Sequence, residues 1–146
     1  MTALLAADGF PLQLRLGDDR SSVRLTAPEG TETSWRLTAD WSGAFTADFP
    51  IPAMTTEDIA GFADRLLEGF APDEPFLPRD HFSAVVSEGR GNPLRVHVRR
   101  GDDHVVFLAR VTPCGDDETS HLDLEIGAVP LDVQLAHLEE FRRDLG

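Results

Sequence analysis

Between Met54 and Ala71, apolar residues recur at Ile59, Phe62, Ala63, Leu66, Leu67 and Phe70. That spacing lines one face of an α-helix. Thr55 is placed to cap the first turn through its hydroxyl, and Asp58, three residues on, to reach back toward the cap. Glu57 and Asp58 also suit the positive end of the helix dipole. Gly69 reads as a left-handed stop, and Pro72 bars much continuation. A helix this apolar on one side must be covered, and on both sides of it the chain reads as β-strand.

From Phe10 to Leu16, Leu12, Leu14 and Leu16 alternate with Gln13 and Arg15, the mark of a half-buried strand. Gly17-Asp18-Asp19-Arg20-Ser21 is turn chemistry, and Val23 and Leu25 continue the pattern as far as Pro28-Glu29-Gly30. Ser34 to Asp40 puts Trp35, Leu37 and Ala39 on one face, and Gly43 to Phe49 does the same with Phe45, Ala47 and Phe49. Pro50 and Pro52 then remove ladder donors and end the run. Beyond the helix, Pro72, Pro75 and Pro78 make Ala71 to Arg79 a connector with polyproline character. It is not a domain linker on this reading, because Phe76 and Leu77 would then be stranded in water. The chain, residues 1–146, reads as one domain.

The second half repeats the order. His81 to Glu88 offers Phe82, Ala84 and Val86 to one side, and Leu94, Val96 and Val98 alternate with Arg95, His97 and Arg99. His104 to Thr112 is apolar on both faces through Val105, Val106, Phe107 and Leu108, which predicts a strand central in its sheet. Leu122, Leu124 and Ile126 face inward in the last run. Pro130 opens a second helix striped by Leu131, Leu135, Leu138, Phe141 and Leu145, with Arg142 and Arg143 at its negative end. Strands, proline and amphipathic helix thus occur twice, which hints at internal duplication. The expected architecture is α+β: an antiparallel sheet of about seven or eight strands with both helices packed on one face.

Length and composition narrow the function classes. A chain of 146 residues supports a self-sufficient core. Cys114 is the sole cysteine, which excludes an internal disulfide framework and fits a reducing cytoplasm. No basic N-terminal stretch leads into an apolar run, so no secretory signal is visible, and no apolar stretch is long enough to span a membrane. The net charge of −13 argues against nucleic acid and anionic membranes as partners. The chain has no Lys and no Tyr, a bias of codon composition rather than of chemistry.

Candidate chemistry is sparse. Gly-Asp-Asp occurs at Gly17, Gly101 and Gly115, each time between strand-like runs, and hairpin turns account for all three. The sharper alternative, a cation site of paired aspartates, lacks EF-hand spacing. His81, His97, His104, His121 and His137 form no metal-binding pair by spacing. His97 and His121 would meet only if their strands pair, when Cys114 or Asp123 would complete a zinc site; solvated sheet histidines are the simpler expectation, and no metal or cofactor is assigned. The acidic neighbours of Cys114 disfavour a thiolate, so no catalytic residue is assigned either. Ser87-Glu88-Gly89-Arg90-Gly91-Asn92 lacks the Lys and the strand-to-helix setting of a phosphate loop. Arg95, His97, Arg99 and Arg100 form a basic stripe. It reads either as cross-strand pairs with acids such as Asp123 and Glu125 or, at Arg95, His97 and Arg99, as an anion site for a small-molecule binder or minor enzyme. Core packing is expected for Trp35 and Trp41, with Trp41, just past a strand end, the candidate for an interface anchor.

The order of elements resembles a known family. N-terminal strands ending in Gly43-x-Phe45-x-Ala47-x-Phe49 lead to the Ile59/Phe62/Leu66 helix and the Phe76-Leu77 connector. Further strands finish in Leu122-x-Leu124-x-Ile126, before the C-terminal helix from Leu131 to Leu145. This pattern is similar to the small acidic Wap-type immunity proteins of contact-dependent bacterial toxin systems. The resemblance implies a cytoplasmic, non-enzymatic protein that binds and blocks a cognate toxin. The contact candidates on this reading are Asp18, Asp19, Trp41, Asp102, Asp103, Asp116, Asp117 and Glu118, since an acidic surface is steered toward a basic partner. An oligomerising structural module is the third class considered.

Overall fold

The computed structural model describes residues 4–6, 9–42, 45–71, 80–89, 91–113 and 121–146. Ten elements follow the order read from the sequence. Strands β1 (Gln13–Gly17), β2 (Ser21–Thr26), β3 (Arg36–Trp41) and β4 (Phe45–Pro50) precede helix α1 (Thr56–Phe70). Strands β5 (His81–Val85), β6 (Leu94–Arg100), β7 (His104–Val111) and β8 (Leu122–Pro130) precede helix α2 (Leu131–Leu145).

The strands do not form the expected single sheet. They form two antiparallel four-stranded meanders, β1-β2-β3-β4 and β5-β6-β7-β8. Within each half, the pairing is between sequence neighbours, three of the six connections (β1–β2, β3–β4 and β6–β7) spanning only three residues, and such local closure costs little. Between the halves stands α1, and β4 and β5 do not pair. Alternation states which side chains face inward; it does not state whether two runs share one sheet or face each other across a core. β7 is interior to its sheet, as its apolar run suggested, but its outer side is open, with Leu108 38% exposed.

Both inner faces feed one continuous core. Leu14, Leu16, Val23, Leu25 and Leu37 contribute from the first sheet, and Val96, Val98, Phe107 and Ile126 from the second. The helices do not share one face of one sheet; each lies against the other and against the opposite half, α1 on β5 and α2 on β1. Trp35 of the first half meets Phe141 of α2 edge-to-face at 6.4 Å, while its indole N–H donates to Thr56 Oγ1 at 3.1 Å. Between the helices, Arg142 Nε donates to Asp64 Oδ1 at 2.7 Å.

α1 begins as its sequence requires. The Thr55 hydroxyl accepts from the Asp58 N–H, and the Asp58 carboxylate accepts from the Thr55 N–H at 2.8 Å. Its end differs from expectation. Gly69 is an ordinary helical residue, buried where the Phe82 ring passes, and a Cβ there would sit 2.2 Å from that ring. The glycine serves close packing, not a left-handed stop. Pro72 and the Phe76-Leu77 connector lie outside the described residues. Pro130 is both the last residue of β8 and the N-cap of α2, one position before the helix proper. The start of α2 is satisfied from elsewhere: the Leu131 N–H donates to the Asp103 carbonyl at 2.9 Å.

Gly17 sits where β1 abuts β8, with φ +115°; a Cβ there would fall 2.2 Å from the Ser21 carbonyl oxygen and 2.6 Å from Ile126 Cγ2. Backbone on one side and a core side chain on the other leave no room to adjust. Gly17→Ala is therefore expected to cost about 2–4 kcal/mol, from left-handed strain plus overpacking, read as a lower urea midpoint at unchanged slope.

Candidate functional site

The most specific polar geometry in the molecule joins α2 to the open edge of β1. β1 pairs with β2 on one side only, so its other edge would leave backbone groups without ladder partners. Two side chains of α2 replace the missing strand. The Gln134 amide spans two residues of the edge, its Oε1 accepting from the Gly17 N–H at 3.0 Å and its Nε2 donating to the Arg15 carbonyl at 2.9 Å. His137, one turn on, accepts from the Arg15 N–H through Nε2 at 2.8 Å. Gln134 is 3% exposed, a buried polar residue inside the stripe that the apolar spacing outlined.

Acceptance at Nε2 requires that nitrogen to be unprotonated. Burial pushes the His137 pKa below its ordinary value and the charge of Arg15 pushes it the same way, against Glu140 and the Gln13 backbone. Both the geometry and the field favour neutral imidazole.

This seam organises the acidic turns. Asp18 follows Gly17, and its carboxylate accepts from the N–H groups of Arg20 (2.9 Å) and Ser21 (3.2 Å), which is hairpin chemistry. Asp19 is fully exposed, with Arg15 Nη1 at 3.6 Å. Trp41 pairs in register with Ser21 at the same end of the first sheet. Ser42, at φ +51°, bends the chain there and donates its N–H to the Arg20 carbonyl. Trp41 is not core, contrary to expectation: it is the last residue of β3, at the end of the sheet, and is 46% exposed, whereas Trp35 is buried.

Asp102 and Asp103 turn β6 into β7. Asp103 caps α2 with its carbonyl, and its carboxylate lies 2.7 Å from His104 Nδ1, a hydrogen bond that holds the carboxyl below its usual range. Leu131, tied to Asp103, is one helical turn from Gln134, tied to Gly17. The two acidic hairpins therefore flank the first turn of α2, where Asp132 is exposed and Val133 is 59% exposed. Asp116, Asp117 and Glu118 lie outside the described residues.

The basic stripe lies on the outer face of the second sheet. Arg99 Nη2 reaches Glu125 Oε1 at 3.2 Å across β7, and Arg110, which the sequence reading did not single out, holds Asp123 through two bonds of 2.9 and 3.2 Å. That contact holds the Asp123 carboxyl below its usual range. Arg95 and His97 border the same shallow cavity of about 580 Å3, and His97 Nδ1 lies 3.0 Å from Ser83 Oγ. An anion here would compete with carboxylates already in place. Arg100 turns away and donates to the Phe70 carbonyl at the end of α1, at 3.0 Å.

The supposed meeting of His97 and His121 does not occur, because β7 separates their strands. Among the described residues, no three His, Cys, Asp or Glu side chains gather as a metal site would require; Cys114 is outside them. No helix among the described residues is long and apolar enough to cross a membrane. No protein-family model matches the chain, and no curated protein matches it in sequence.

The pH consequence of the seam has a definite sign. A histidine whose folded pKa is depressed binds its proton more readily unfolded, so stability is full above the unfolded value of about 6.5 and is lost as pH falls below it. Urea midpoints measured from pH 8 to pH 5 should fall for the native protein. His137→Gln should start lower and lose part of that dependence.

Proposed function

We propose that the protein is a non-enzymatic binding module for a basic protein, and that it works as the likeness to Wap-type immunity proteins implies, by stoichiometric neutralisation of a cognate toxin. The observation that carries this reading is the grouping, around the first turn of α2, of two acidic hairpins with the exposed side chains of Trp41 and Val133. Charge at the rim steers a cationic partner and fixes its approach, while an exposed aromatic supplies area that water leaves on contact.

The net charge of −13 extends that field over the whole surface. The Asp18 carboxylate is engaged by its own turn and that of Asp103 by His104, which leaves Asp19 and Asp102, both exposed, as the first contact candidates. The outer face of the second sheet supports a binding role less well, since Arg99 and Arg110 are already paired.

The test is binding to the toxin encoded beside this protein, followed by surface-immobilised kinetics. Association should slow by about tenfold or more between low and high salt, while dissociation changes little. Asp19→Asn with Asp102→Asn should slow association, and Trp41→Ala should weaken the complex by about tenfold through faster dissociation. A complex indifferent to salt and to all three substitutions would contradict the assignment of this surface.

A further inference from the structure

At the other end of the β1–α2 seam the molecule is concave. A cavity of about 580 Å3 opens between the chain leading into β1, the loop after β2 and the second half of α2, a size in the range of small-ligand sites. Its floor is apolar, from Leu12 and Phe141, both buried. At its rim stands Phe10, 70% exposed.

The polar lining is unequal in charge. Among the described lining residues, Glu29, Glu140 and Asp144 stand against one cation, Arg15, whose Nη1 lies 3.6 Å from Asp19 beyond the end of the strand. Arg142, next in the chain to Phe141, is committed to Asp64 of α1. His137 offers no positive charge, since its Nε2 accepts from the Arg15 backbone. Gln13 and Thr26 satisfy each other, Nε2 donating to Oγ1 at 3.1 Å. An apolar floor, an aromatic rim and a surplus of carboxylates from separate elements describe a receptor for an organic cation.

We propose that this groove binds a guanidinium group carried on an aliphatic stem. The stem lies along Ala6 and Pro11 above that floor, and the planar head lies over the Phe10 ring while donating to Glu140 and Asp144. Guanidinium suits this lining better than ammonium, because it is more weakly hydrated, stacks on an aromatic face and donates in a fork to carboxylates. A free alkylguanidine and an arginine side chain of a peptide share this chemistry. The groove is separate from the acidic turns at the start of α2 and does not rest on the toxin-binding reading.

The test is titration of the 15N-labelled protein, followed by amide chemical shifts, with agmatine, with acetyl-Gly-Arg-Gly-amide and with the neutral citrulline counterpart of that peptide. The expected result is saturable shifts confined to 12–15, 26–29 and 137–144 with at least one guanidinium probe, and none with the citrulline peptide. Response to agmatine alone marks a free ligand; response to the arginine peptide marks a side chain. Glu140→Gln with Asp144→Asn should weaken binding by about fivefold or more, as loss of partly exposed charge pairs predicts. Glu88→Gln with Glu139→Gln, removing the same charge outside the groove, should leave it unchanged. Equal response to the citrulline peptide, shifts spread over every acidic turn, equal weakening by both double variants, or no shift at millimolar probe would overturn the proposal.

Discussion

The edge of β1 is the constraint on which the arrangement of the two halves depends. A four-stranded meander always leaves two unpaired edges, and a buried edge with unsatisfied N–H and C=O groups costs free energy comparable to the bonds it lacks. This fold answers with side chains. Gln134 reproduces the two-bond reach of a neighbouring strand, and His137 adds a third bond. The second half has a counterpart on β5, where Arg65 of α1 donates to the carbonyls of Val85 and Val86. Each helix thus serves the first strand of the other half, α1 on β5 and α2 on β1. That reciprocity gives the repeated strand–helix order a structural meaning: neither half finishes its own first strand, so each requires the other.

What was legible in the sequence follows from what periodicity encodes. The strand alternations and both helical stripes describe which way side chains point, and these survive in Leu14, Leu16, Val96, Val98, Ile59 and Phe62, all buried. The capping box of α1 is local chemistry, so Thr55 and Asp58 announced it. The division into two sheets is a question of which edges meet, and no alternation carries that information. Gly69 was misread for a related reason: a glycine near a helix end looks the same whether it bends the chain or admits a ring, and only Phe82, distant in sequence, decides between them.

The candidate surface was half legible. The Gly-Asp-Asp runs at Gly17 and Gly101 were apparent as turns, and the carboxylates of Asp18 and Asp103 serve turn and histidine contacts. Their gathering around one helical turn was not apparent, because it depends on Gly17 and Asp103 both reaching α2 from opposite halves. Gln134 and His137 were unreadable as edge partners for the same reason. On a helix drawn in isolation they are one polar residue within an apolar stripe and one histidine beside it.

The distribution of arginine completes the argument about charge. Arg36 with Asp48, Arg99 with Glu125, Arg110 with Asp123 and Arg142 with Asp64 neutralise carboxylates on the outer sheet faces and between the helices. Arg65 and Arg100 are turned to backbone carbonyls at β5 and at the end of α1. Exposed pairs of this kind add little stability, but they shape where acidity is concentrated. Among the described residues, α2 presents different surroundings at its two ends: acid beside exposed apolar side chains at the start, acid over an apolar hollow in the second half. Because α2 is fastened to β1 between them by Gln134 and His137, both regions are held in fixed relation to the same strand, and a neutral imidazole is part of what holds them.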